Sequence, residues 1–170
     1  AYKDPVQLCP SGFEGRYAID GHAFEYNGQL YYTFSGQKSS DARPRIYVCT
    51  MSSPTSVNND AVNISQGSSL EEGPCTIVDG TDLYLMYSVG DYNGVNYRVK
   101  YYKLNGTNPL SKYSWSSKGE CLQQDPAVGI YCTGHNHMFK NADGRWWTSY
   151  HGVVGTEGAG TEAYLINRRV

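Results

Sequence analysis

The chain has 170 residues and a net charge of −2. That length is one domain by the usual ~100–200 residues per domain. The basic residues are scattered, which excludes an electrostatic nucleic-acid surface, and no apolar run approaches the ~18 residues of a membrane-spanning helix. With 16 Tyr and 19 Gly, the composition is that of a turn-rich all-β protein.

Residues 1–18 read as a leading segment without strand alternation. Residues 19–36, IDGHAFEYNGQLYYTFSG, read as a β-hairpin that turns at Asn27-Gly28, because Asn-Gly supplies the positive φ angles a tight hairpin needs. Its first strand opens on a bare carboxylate, Asp20, beside His22. Arg45–Met51 is the next strand. A second hairpin, EGPCTIVDGTDLYLMYS (72–88), opens on Glu72 and turns at Asp79-Gly80. Tyr97–Leu104 follows it. A third, HNHMFKNADGRWWTSYH (135–151), opens on His135 and turns at Asp143-Gly144, with Ala163–Arg168 after it.

The three hairpins are an internal repeat. Each unit is two hairpin strands, a third strand and a looser outer piece, which is the pattern of a β-propeller blade. The expected blades are about 19–66, 70–125 and 133–170 of one partial propeller domain, residues 1–170. A β-sandwich with coincidental hairpins is the plain alternative. In a propeller the first strand of each blade lines the central channel, so Asp20, Glu72 and His135 converge there from three blades. Two carboxylates over a wet pocket suit glycosidic bond cleavage, one holding a proton for the leaving oxygen. Glu72, backed by Pro74 and an apolar strand, suits the acid, with Asp20 as its like-charge neighbour.

Other residues are weighed in the same way. Tyr92 and Tyr97, in the loop-rich stretch SVGDYNGVNYR, are candidates for stacking on a sugar ring. His151 ends a strand and either lines the pocket or lies on the surface. Trp146 and Trp147 read as packing residues. So do Phe24, Tyr26, Leu30, Tyr32, Ile77, Leu83, Leu85 and Met86, between blades. One of His135 and His137 is expected to face the channel. Two His alone make no zinc site, and calcium prefers oxygen ligands, so His135 would meet a metal through bound water. The five cysteines form no CxxC pair. Cys121 and Cys132 are spaced to close a short loop, and an odd count leaves one thiol free or linked to another chain. Sequons at Asn63 and Asn105, together with the cysteines, favour a secreted glycoprotein.

The segments Ile19-Asp20-Gly21, Glu72-Gly73-Pro74, Gly134-His135-Asn136, Asp143-Gly144-Arg145-Trp146-Trp147 and Tyr150-His151 resemble glycoside hydrolase family 43. These are arabinanases, arabinofuranosidases and xylosidases on a five-bladed propeller. The resemblance runs from about Ile19 to the C-terminus and implies an inverting glycosidase acting on arabinose- or xylose-containing polysaccharide. It implies Glu72 as general acid, Asp20 as the residue that tunes and orients the acid, and His135 in the channel. There His135 would help hold a structural calcium, though no cofactor is required for the reaction. The family's general base is an Asp well upstream of the Asp20 position. Asp4, in Lys3-Asp4-Pro5, mimics its Asp-Pro setting but is not followed by a matching hairpin. Three blades cannot close a five-bladed ring. The chain is therefore a piece of a longer protein, or completes its ring with another chain, or is a shortened, non-catalytic extracellular relative that binds carbohydrate or serves a structural role. Exposed blade edges favour a protein partner.

Overall fold

The computed structural model describes residues 5–155 and 163–169, the last stretch by its backbone alone. Its strands fold into three antiparallel sheets, with no α-helix among the described residues. The first sheet contains β1 (Ala18–Tyr26), β2 (Gln29–Gly36), β3 (Arg45–Ser53) and β4 (Ser56–Val57) in that order, with β5 (Val62–Asn63) paired to β3. The second is β6 (Glu71–Asp79), β7 (Asp82–Val89), β8 (Arg98–Leu104) and β9 (Trp115–Leu122). The third is β10 (Ile130–Lys140), β11 (Trp146–Val154) and β12 (Ala163–Arg169).

The turns follow their residues. Tyr26 pairs with Gln29, so the first loop is Asn27 (φ 50°) and Gly28 (φ 76°), both in the left-handed region that a two-residue turn uses. The second hairpin closes one residue later than the Asp79-Gly80 expectation. Asp79 pairs with Asp82, leaving Gly80-Thr81 as the loop. The third loop spans residues 141–145 between the paired Lys140 and Trp146, with Gly144 at φ 77°.

Packing joins the sheets face to face. Phe24, Tyr26, Ile46 and Val48 of the first sheet share one buried cluster with Leu83, Leu85, Tyr87 and Tyr102 of the second. A smaller cluster, with Cys75, Met86 and Val99 meeting Met138, joins the second to the third. Ile77 lies half-buried against it. Tyr32 departs from the expected inter-blade role. It packs on the far face of the first sheet, where Phe13 of the leading segment meets Phe34 and Tyr47 edge-on at 5.0 and 4.8 Å. Adjacent strand residues point to opposite faces, which is why Tyr31 joins the cluster shared with the second sheet and Tyr32 does not.

The innermost strands β1, β6 and β10 lie side by side, with β6 against both others. Each is interrupted by a bulge, between Ile19 and His22, between Glu72 and Cys75, and between Gly134 and His137. Each bulge holds one residue in the left-handed region: Asp20 (φ 57°), Gly73 (φ 58°) and His135 (φ 48°). Three antiparallel blades around a common axis, with the ring not closed, make this a partial β-propeller.

The expected Cys121–Cys132 link is not formed, and all five thiols are free. Cys132 is buried with Tyr97, Tyr131 and Val153. Cys121, on β9, lines a different cavity with Met86, Leu122 and Met138. Nearness in sequence does not bring two strands' side chains to one side of the fold, and a disulfide needs Cα atoms within ~7 Å.

Candidate active site

The bulges place the site. A left-handed residue with an extra backbone kink re-aims the side chains on either side of it. Asp20 tolerates this conformation better than a branched residue would, and Gly73 adopts it without strain. Asp20 is nearly buried, its side chain 13% exposed. One oxygen, Oδ2, accepts from the Ser35 hydroxyl at 2.6 Å and from the Gly73 N–H at 3.1 Å. The other, Oδ1, lies 3.5 Å from His135 Nε2. Asp20 thus touches the peptide that follows Glu72 and the ring of His135 together.

Glu72 stands one residue before its bulge. Its Oε1 accepts from the Tyr97 hydroxyl at 2.7 Å. The carboxylate lines a cleft of about 620 Å³ with Tyr17, Arg43, Leu70, Asp91 and Tyr92. Asp20 and His135 line a separate cavity of about 190 Å³ with His22, Pro74, Asn136 and His137. Glu72 lines the first and Gly73 and Pro74 the second, so the bulge of β6 borders both. Both carboxylates press on the Tyr17 phenol, whose pKa is raised first by burial and then by Glu72 and Asp20.

Tyr92 is 56% exposed on the cleft wall. Tyr97 is not. It is 1% exposed, and its ring occupies the space a side chain at position 134 would need, 2.0 Å from a Cβ built there. The tight turn closed by its N–H to Gly94 carbonyl bond carries it inward, just before β8. Burial pushes its phenol far above the usual range, with a Ser88 hydrogen bond opposing. Tyr97 is therefore a neighbour of the carboxylate, not a surface for the sugar. His151 is half-buried against Tyr92 and Tyr97, at ring distances of 6.2 and 5.9 Å. Burial and then His135 lower its pKa.

His135 and His137 both line the smaller cavity, which corrects the expectation that only one would. The bulge between Gly134 and His137, with His135 at φ 48°, breaks the strand's alternation, so His135, Asn136 and His137 all reach the cavity. His22, opposite them, accepts the Thr76 N–H at 3.3 Å and lies 3.0 Å from its hydroxyl. Burial, then His137, lowers its pKa to about 4. Calcium takes six to eight oxygen ligands. Asp20 is the one carboxylate on this cavity, and three of its contacts are already made. Among the described residues no three His, Cys, Asp or Glu side chains form a metal-binding group. These residues alone do not make a calcium cage.

Asp4 lies outside the described residues. Asn105 is exposed, and its side-chain amide donates to the Ser116 hydroxyl. Asn63, on β5, is half-buried and accepts the Ser65 N–H at 2.9 Å. Tyr17, Arg43 and Asp91 on the cleft, and Ser35 and Ser88 beside the carboxylates, escaped the sequence reading. The serines were within reach of it, since they end the second strand of two repeats. Arg43 and Tyr17 lie in segments with no repeat to align.

The model of glycosyl hydrolases family 43 matches residues 1–170. The chain belongs to that family. This family 43 chain gives no significant match among curated proteins. Among solved structures it is similar to an α-L-arabinofuranosidase from Lactobacillus brevis, at 20% identity and TM-score 0.79, covering 90% of this chain and 52% of that one. It is also similar to an endo-1,4-β-xylanase from Bacteroides thetaiotaomicron (22%, TM-score 0.76, 99% and 57%). A third is a xylan β-1,4-xylosidase from Bacillus halodurans (17%, TM-score 0.74, 98% and 32%). The family 43 chain thus spans about half the length of the first two. At these identities the likeness is one of fold.

Proposed function

We propose that the chain works in a glycoside hydrolase that cleaves arabinose- or xylose-containing polysaccharide by an inverting acid/base mechanism. Glu72 is the proton donor to the leaving oxygen. Asp20 orients it through the shared bulge and adds negative charge behind it. The sugar lies in the 620 Å³ cleft, with Tyr92 against a ring face and Arg43 and Asp91 as polar walls. The observation that carries this reading is the placement of Glu72. It is a carboxylate fixed by a buried phenol at 2.7 Å yet open to an aromatic-lined cleft. Such a group can hold a proton in a set direction. An inverting reaction places the general base ~6.5–9.5 Å from the acid, with room for a water. That base is not assigned among the described residues, and further blades or a second chain would supply it. The chemistry needs no metal. The exposed sequon at Asn105 supports reading the protein as extracellular.

The experiment compares hydrolysis of nitrophenyl arabinofuranoside and xyloside by the natural protein and by Glu72→Gln. The reading expects turnover that falls at least about 100-fold in the variant. Turnover untouched by the substitution rejects Glu72 as the acid. No cleavage of either glycoside or of arabinan favours the other reading, a carbohydrate-binding relative without activity.

A further inference from the structure

The surroundings of Asp20 and Glu72 repeat one pattern of hydrogen bonds. Ser35, on β2, stands opposite Ile19 in the register, and Ser88, on β7, stands opposite Glu72. Both serines are fully buried. Ser35 accepts the N–H of Gly73 at 2.9 Å, and Ser88 accepts the N–H of His135 at 2.6 Å. In each case the donor is the left-handed bulge residue of the next sheet. A backbone N–H can only donate, so each serine oxygen receives from the neighbouring sheet and its one proton turns inward. In the first sheet that proton goes to Asp20 Oδ2 at 2.6 Å. In the second sheet the carboxylate sits one residue earlier, and Tyr97 bridges the difference. Its phenol donates to Glu72 Oε1 at 2.7 Å, and Glu72 is itself the register partner of Ser88.

We propose that Ser88 and Tyr97 form a positioning relay from the His135 amide to Glu72, which fixes a donor on Oε1 and reserves Oε2 for the proton that Glu72 delivers. The relay rests on Glu72 being the proton donor. The carbonyl oxygen of a protonated carboxyl is the better acceptor, so a hydrogen bond to Oε1 favours the hydrogen on Oε2. Burial keeps the Tyr97 phenol protonated, so the polarity of the chain does not reverse. The ring cannot swing aside toward β10, because Gly134 leaves room for it and nothing more. Tyr97 and Ser88 act on the sugar only through Glu72. Docking of the third sheet on the second thereby sets the direction of the acid.

The test is the carbon-detected NMR titration of the Glu72 carboxyl, assigned by its loss in Glu72→Gln, in the wild type, Tyr97→Phe and Ser88→Ala. Removing a donor to the ionised carboxylate makes ionisation harder. The relay predicts a titration moved up by about one pH unit in Tyr97→Phe and by less in Ser88→Ala. In turnover of substrates with poor leaving groups, kcat falls about tenfold with KM within about twofold, and the alkaline limb of the pH profile moves up with the carboxyl titration. Ser88→Ala deletes a single oxygen and serves where Tyr97→Phe disturbs folding. A Glu72 titration unmoved in both folded variants overturns the relay. A moved titration together with full turnover in Glu72→Gln keeps the contact of Tyr97 with Glu72 but overturns both the proton-donor reading and the relay's purpose.

Discussion

Asp20 Oδ2 accepts the Gly73 N–H at 3.1 Å, across the boundary between the first and second sheets. The same oxygen holds Ser35, which itself accepts that N–H. One carboxylate therefore ties two blades at the point where both bulge. Asp20→Ala leaves the buried Ser35 hydroxyl without its acceptor, while the Gly73 amide keeps only Ser35. Urea unfolding should show a loss of about 1–3 kcal/mol. Asp20→Asn keeps an acceptor and tolerates φ 57°, and should lose less. Equal losses for the two would mean that charge, not hydrogen bonding, makes the tie.

Gly134 is a second tie. A Cβ there would stand 2.0 Å from the Tyr97 ring, and the obstacle is a buried aromatic with no free direction. Gly134→Ala should destabilise the fold by about 1–3 kcal/mol through overpacking and lower activity by pushing Tyr97 off Glu72. Gly28→Ala makes a useful contrast. No atom crowds that site, so its cost is the φ of 76° alone. Similar activity in the two variants would contradict the contact.

His22 makes stability depend on pH. Its folded pKa is near 4 against an ordinary 6.5, so the unfolded chain binds its proton first. The contribution is present in full above pH 6.5 and fades as pH falls from 6.5 toward 4. Discounted for partial exposure, the loss is about 1–2 kcal/mol. Unfolding midpoints at pH 7.5 and 4.5 should differ more in the wild type than in His22→Gln. A difference of the same size in both would assign the effect elsewhere.

The cysteines give a direct chemical check. Burial raises the Cys49 and Cys75 thiols to about 12 and the Cys121 thiol to about 11, and the thiolate is the reactive form. In the folded chain the buried Cys49, Cys75 and Cys132 should alkylate slowly and the exposed Cys121 and half-buried Cys9 faster, and alkylation in denaturant without reductant should add five groups, one for each free cysteine. Three groups would restore a disulfide.

Much of this fold is legible in the sequence because its turns carry their own chemistry. Asn27-Gly28 announces a hairpin without any help from the core, and repetition of the same turn chemistry announces the blade. The bulges are not legible that way. Stacked by sequence, Glu72 falls with Asp20 and His135, but in the strand register Glu72 stands with Ile19 and Gly134, so Gly73 takes the place of Asp20 and His135. A glycine at that place was the signal for a left-handed backbone, masked because Asp and His fill it in the other two repeats. Tyr97 was misread because a residue after a Gly-rich turn resembles a loop residue, and only the third sheet, docked from far along the chain, buries it. Glu71 was hidden for a similar reason. It is 2% exposed and accepts from Gly67 and Tyr102, partners that two adjacent glutamates do not reveal.

Protonation of the leaving oxygen by Glu72 is tested most directly by varying the leaving group. A dinitrophenol departs without a proton, whereas a sugar alcohol does not. The account predicts that Glu72→Gln loses about 100-fold or more on xylo- or arabino-oligosaccharides while keeping most of its rate on the dinitrophenyl glycoside. An equal loss on both substrates, or none on the oligosaccharides, would contradict it.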